Sequence, residues 1–411
     1  MKKIFSGIIC FCIFISTFGC NISHVKQSSE LKEFDIEKAF QVVNQYMVAN
    51  MKNDINEMSK FYSSDFKKDN STKPQQDVII NGYRFDEVNQ AQSMADINVR
   101  VTKINTKIPY ASLEIQDFKV IKEKNDYKIK SVDIENQNES FETYANNNQN
   151  TSNGSNNNQN MLNGSNSNQN SLSGRQIRVR LRNNVKTNLV TNFQGIPKYY
   201  YTQDDKARIT KIPVTLGQFG VTTFAYGGTT EAITTKGDNP FIEIVHFDES
   251  MATQGGAGGS DSGGGGSSSG TAGGGTAGGG ENQAQPETPI SKDIMPIDII
   301  PGAVINNIVF SQDERYLAIQ YSKPNLGNSI RIYLNKNGKI ISFQFEKNYP
   351  MDKVDVKIIN FVEDGLIYNV SPRNGKTNDS SIKDMIGTWQ IDMKKYKPKR
   401  INENEISKLK K

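Results

Sequence analysis

The chain has 411 residues (45.9 kDa), which at roughly 100–200 residues per domain leaves room for two or three domains. Only 35% of it is hydrophobic and its mean hydropathy is −0.60, because two stretches carry excess polarity: residues 146–170 hold 13 Asn, and residues 255–280 hold 15 of the 33 Gly. A net charge of +5 is too slight a bias for a nucleic-acid binder, and two His with three Cys argue against His/Cys metal sites, His-based triads and a disulfide framework.

Lys2 and Lys3 precede an apolar run over residues 4–18, shorter than the ~20 residues a spanning helix needs. This is the layout of a secretory signal peptide. The run closes on Ser16-Thr17-Phe18-Gly19-Cys20, and the Gly-Cys pair resembles the lipobox of bacterial lipoproteins, although Thr17 stands where that family usually has Leu. The resemblance implies cleavage before Cys20, a signal peptide over 1–19, and a diacylglycerol, with palmitate among its acyl chains, joined to the Cys20 sulfur by a thioether. Two acyl chains give stable anchoring where one does not. The expected location is therefore the extracytoplasmic face of the cell membrane, with residues 20–33 as a polar lipidated tether. An uncleaved signal anchor, or a plain signal peptide with a coincidental Cys, is the alternative reading of the same run.

Residues 34–137 read as an α+β cone-like domain. Asp35 can cap a helix along which Ile36, Ala39, Phe40, Val43, Met47 and Met51 recur at helical spacing. Asp54 followed by Glu57 opens a second helix through a capping box. The period then becomes two. Residues 78–80 and 83–85 are short candidate strands; Ile97, Val99 and Val101 alternate with polar residues, as do Ala111, Leu113 and Ile115. Phe118 and Val120 face Tyr127 and Ile129 across a turn at residues 124–126. Two helices on a curved antiparallel sheet resemble the nuclear-transport-factor-2-like (cystatin-like) fold. Catalytic members of that superfamily use Asp–His or Asp/Tyr groups in the cone. No His lies here, so no catalytic residue is carried over, and a small pocket is what the hollow cone implies.

Residues 138–174 read as a linker. Residues 151–160 and 161–170 repeat one ten-residue pattern without the apolar positions a stacked solenoid needs.

Residues 175–401 read as all-β. Phe310-Ser311-Gln312-Asp313-Glu314-Arg315-Tyr316-Leu317-Ala318 resembles the strand–turn–strand of TolB-like and WD-repeat-type β-propeller blades, with Gln312 and Glu314 where those blades usually have Pro and Gly. Residues 329–333 and 340–345 would supply a third and a fourth strand. The pattern recurs over 357–392 and, upstream, over 221–247 continued at 295–300. Stretches 177–181, 189–193 and 209–216 would start a further blade. The resemblance implies a propeller-like domain of three or four blades, with a β-sandwich as the alternative. The Gly-rich tract 253–286 is then an insertion in one hairpin, or else a boundary between two domains. Residues 402–411 form a basic tail that follows Lys394, Lys395, Lys397, Lys399 and Arg400.

Few residues suggest chemistry. His246, with Asp248 two residues on, reads as a structural or surface histidine. Arg175, Arg178, Arg180 and Arg182 are candidates for binding an anionic polymer. Tyr199, Tyr200 and Tyr201 could stack on a carbohydrate or pack between blades. The reading is of a non-enzymatic, cofactor-free lipoprotein. It would be held to the membrane through Cys20 and act as a binding or scaffold module for an envelope protein or wall polymer. The alternative is a solute- or ligand-binding carrier.

Overall fold

The computed structural model describes residues 34–68, 77–144, 174–182, 184, 186–202, 205, 207–248, 250 and 287–402. Helix α1 (Ile36–Met51) begins where the Asp35 carboxylate accepts the Lys38 amide at 3.2 Å, and the Asp35 amide donates to the Tyr127 hydroxyl at 2.6 Å. The cap satisfies one orphan donor of the first turn, and the second bond fastens the helix to the sheet below. Helix α2 (Ile55–Ser59) starts the same way at Asp54. Ala39, Phe40, Val43 and Met47 bury one face of α1, with Phe40 against Phe85 and Tyr46 against Phe118.

Strands dominate from there. β1 (Tyr62–Lys68) lies parallel to β5 (Asp126–Tyr144), while β2 (Val78–Ala91), β3 (Met94–Asn105), β4 (Tyr110–Glu123) and β5 form an antiparallel meander. The stretches 78–80 and 83–85 are one strand. It carries a bulge: Ile80 pairs with Lys103 and Gly82 with Thr102, which leaves Asn81 as the extra residue.

β5 does not stop at residue 137. Its residues 138–144 pair with β6 (Arg175–Leu181), which pairs with β7 (Asn188–Asn192), so the first sheet takes strands from both sides of the Asn-rich segment. Residues 138–144 are therefore strand rather than linker. The stretches 177–181 and 189–193 extend this sheet rather than start a blade. Burial explains why: Ile177 and Val179 are fully buried in one cluster with Phe224, Ile233 and Phe247 of the next sheet. β8 (Tyr199–Tyr201) and β9 (Lys211–Pro213) form a separate two-stranded ribbon.

Three antiparallel meanders follow. The second sheet holds β10 (Phe219–Phe224), β11 (Thr230–Thr235), β12 (Phe241–Phe247) and β13 (Ser291–Ile299). Phe247 pairs with Ser291, so the segment containing 253–286 joins neighbouring strands of one sheet. The third sheet holds β14 (Val304–Phe310), β15 (Tyr316–Ser322) and β16 (Asn328–Leu334). Its expected fourth strand over 340–345 is reduced to one bridge between Ile340 and Tyr333. Phe345 instead opens a one-turn helix (Phe345–Asn348) and sets its ring edge-on to Tyr368. The fourth sheet holds β17 (Val354–Val362), β18 (Gly365–Pro372), β19 (Gly387–Asp392) and β20 (Pro398–Arg400).

The sheets share cores in series. The first packs on the second through the Ile177 cluster; the second on the third through Ile244, Ile297, Ile308 and Leu317; the third on the fourth through Val309, Ile332, Phe361 and Leu366. The opening strands β10, β14 and β17 of the three meanders also touch β2, β3 or β4 of the first sheet. Gly82 permits that approach, because a Cβ there would lie 2.4 Å from the Tyr226 hydroxyl and 3.0 Å from Val309. The described residues from Asp35 onward belong to one compact unit.

Candidate functional site

A cavity of about 200 Å³ opens where α1 and β2 face β14 and β17. Asn44, Val48 and Met51 line it from α1 at spacings of four and three, on the face next to the one that packs on the sheet. Asn81 and Tyr83 line it from β2, Asn307 from β14, and Ile358 and Asn360 from β17. Each of these strands is bulged at this level. Asn306 is the extra residue in β14, between pairs Ile305–Tyr321 and Asn307–Gln320, and Ile359 is the extra residue in β17, between Ile358–Tyr368 and Asn360–Ile367. A bulge re-aims the side chains beside it, and here three bulges bring Asn81, Asn307 and Asn360 to one space.

The polar groups are only half satisfied. The Tyr83 hydroxyl donates to Asn44 Oδ1 at 2.8 Å, and Asn81 Nδ2 donates to Thr223 Oγ1 at 3.0 Å and to the Ile308 carbonyl at 2.6 Å. The Oδ1 atoms of Asn81, Asn307 and Asn360 are buried with no partner. Burial pushes the Tyr83 hydroxyl well above its ordinary value, opposed by its hydrogen bond with Asn360, so it is a neutral donor. Lys52 stands exposed at the rim, and no carboxylate lines the walls. Gln312 closes the structure nearby, its Nε2 donating at 3.2 Å to the Tyr83 and Phe361 carbonyls of the first and fourth sheets.

The four arginines expected to bind an anionic polymer each stand in an ion pair. Arg175 pairs with Glu142 at 3.1 Å, Arg180 with Glu139 at 2.8 Å and Arg182 with Glu135 at 2.6 Å; Arg178 holds Glu287 through two bonds of 2.8 Å. Three of these carboxylates arrive on β5 by strand pairing, which the Arg spacing alone does not reveal, so the stripe is charge-compensated. Lys394 and Lys395 sit in a turn capped by Asp392, and Lys399 and Arg400 lie on the edge strand β20, where basic side chains discourage further strand pairing. Cys20 lies outside the described residues.

His246 Nδ1 lies 2.9 Å from Thr230 Oγ1. Tyr200 is buried with its hydroxyl on the Ile297 carbonyl at 2.7 Å, while Tyr199 is exposed beneath Lys211. Among the described residues no group of three or more His, Cys, Asp or Glu side chains is placed to hold a metal ion, and no helix is long and apolar enough to cross a membrane.

Sequence reasoning missed one pair entirely. Glu231 on β11 and Glu243 on β12 are both fully buried on one face of the second sheet. Burial, partly offset by hydrogen bonds that include one from Thr222, raises Glu231 to about 7; burial and the neighbouring Glu231 raise Glu243 to about 8. Alternating strand positions are ordinarily read as core or solvent, and nothing in the sequence marks these two as core.

No family model and no curated protein matches the chain. Similar solved structures include one of two prolyl endopeptidases (9% identity, TM-score 0.28, 89% of this chain and 38% of that one). TolB from Acinetobacter baumannii is another (9%, 0.22, 68% and 58%), and prolyl oligopeptidase B from Galerina marginata a third (6%, 0.20, 73% and 42%). The chain thus covers less than two thirds of each of these chains, and likenesses at this level assign it no activity.

Proposed function

We propose that the chain is a non-catalytic, membrane-anchored module of the bacterial envelope that binds a small ligand. Cys20 carries the lipid anchor. A cone-like first sheet with its helices and the last two of three propeller-like blades then build the cavity between them. The observation that supports binding is a partly open cavity of about 200 Å³ whose walls combine the polar side chains of Asn44, Asn81, Tyr83, Asn307 and Asn360 with aliphatic ones. Binding sites combine apolar walls with a few placed polar groups in this way. The test is native mass spectrometry of the full chain extracted from membranes, alongside palmitate incorporation into wild type and Cys20→Ala. The expected result is label in the wild type only, and an acylated chain carrying one small additional mass. An unlabelled wild type removes the anchor; a chain that never carries extra mass removes the ligand.

A further inference from the structure

Resting on that ligand-binding reading, we propose that the cavity between α1 and β17 takes a small aliphatic carboxylic acid, its carbon chain inside and its carboxylate at Lys52. The walls argue for the chain. Elsewhere in these elements the apolar side chains are fully buried, as at Val43 and Met47 of α1 and Val356 and Phe361 of β17. Around the cavity they are not. Val48 and Met51 of α1 and Ile358, Ile359 and Val362 of β17 are only half-buried, and Ile79 of β2 is 41% exposed. Incompletely covered aliphatic side chains from three elements thus converge on one opening, and an apolar guest takes them out of water. The polar groups of the walls do not compete for it. The Oδ1 atoms of Asn81, Asn307 and Asn360 lie beneath the surface, the Tyr83 hydroxyl is bonded to Asn44, and Asn81 Nδ2 is bonded to Thr223 and the Ile308 carbonyl. A guest therefore meets mainly carbon, which disfavours a sugar.

Charge sets the other end. No carboxylate lines the cavity, so a cationic guest finds no counter-charge. Lys52 is the one charged residue of the walls; it is exposed at the rim, and no ion pair joins it to another described residue. It stands at the C-terminal end of α1, where free carbonyls would repel an anion, but the Val48, Asn50 and Ala49 carbonyls accept the amides of Lys52, Asn53 and Asp54. An ammonium beside an aliphatic opening matches a guest with a carbon body and one anionic end. Size sets the length. An apolar cavity of about 150 Å³ holds a benzene ring, so one of about 200 Å³ holds about six to eight carbons.

The experiment is a methyl NMR titration of the full acylated chain in lipid nanodiscs, labelled at the isoleucine δ1 methyls. Hexanoate and octanoate are the probes, with hexylammonium and glucose as controls, all at neutral pH. Saturable shifts at Ile79, Ile358, Ile359 and Ile367 are expected with at least one acid, while Ile177 and Ile319, buried in other cores, stay still. Neither control should move the four cavity signals. Val48→Trp, which fills the cavity from a half-buried helix position, should abolish the shifts. Lys52→Gln should weaken the acid about threefold to fivefold, the scale of an exposed ion pair, with the other methyls unchanged. If Val48→Trp disturbs Ile177 and Ile319, Ile359→Phe fills the cavity from β17 in its place. Silence from both acids, shifts of the cavity signals by hexylammonium or glucose, shifts that survive the filled cavity, or unchanged affinity in Lys52→Gln would each overturn the assignment. If the acids are silent while native mass spectrometry still shows a bound mass, the ligand class alone falls. If both are silent, the binding reading falls with it.

Discussion

Glu314 sits at a φ of +60°, in the left-handed region where a side chain ordinarily costs about 1–2 kcal/mol. Its carboxylate supplies a reason for the choice: it accepts the Gly227 amide at 2.6 Å and faces Arg84 at 3.5 Å, joining the turn of the third sheet to the second and first sheets. Glu314→Ala keeps the backbone cost and loses the clasp, whereas Glu314→Gly loses the clasp and relieves the cost. Urea unfolding should therefore find Glu314→Gly more stable than Glu314→Ala by about 1 kcal/mol, with both below wild type. Equal stabilities would show that the backbone is unstrained. Glu231 and Glu243 give the residue scale its pH dependence. Their folded-state pKa values, about 7 and about 8, lie above the ordinary 4.5, so the unfolded chain ionises first as pH rises. Stability should fall from about pH 4.5 to about pH 8 and level off beyond. Glu243→Gln should flatten part of that slope and raise the melting temperature at pH 8, where an unchanged profile would place the titration elsewhere. The turn residues around Asp313 were legible because their roles are local. The burial of Glu231 and Glu243 was not, because it depends on packing against a sheet built from earlier parts of the chain, Ser140 and the Ile177 cluster among them.

Elements with a strong period were legible almost to their ends. The apolar stripe and Asp35 cap of α1, and the alternation at Ile97, Val99 and Val101, depend only on neighbours in sequence. Failures came where pairing partners decide. β5 continues through Asn138, Glu139 and Ser140, a polar stretch that reads as linker but is strand because β4 and β6 take up its backbone groups. The Asn cluster was hidden for a related reason: register shifts at Asn81, Asn306 and Ile359 gather it, and a shift of register leaves no signature in composition. The continuity of the first sheet makes a prediction. Proteolytic nicking within residues 150–170 should leave two fragments that co-elute in gel filtration under native conditions, because β5–β6 pairing and the Ile177 cluster hold them. Separation into two folded pieces would mean that the sheet is not continuous.

Across the whole unit, the shared cores tie the four sheets into a series, and none of the three later sheets buries both faces by itself. Replacing residues 253–286 by a linker of about eight residues should leave this arrangement intact, because Phe247 and Ser291 are paired neighbours. Two halvings of loop length should add about 1 kcal/mol through lower closure entropy, read as a small rise in melting temperature. Loss of the folded state would mean that the tract contributes more than a connection.

Tyr144 likewise stands opposite Arg175, so both low-complexity stretches leave and re-enter the structure at adjoining points. A decamer copied twice or dropped in error would not displace the strands on either side. Isolates could therefore differ in the number of these units yet keep the same architecture, and natural selection acting on the folded part would be blind to the count.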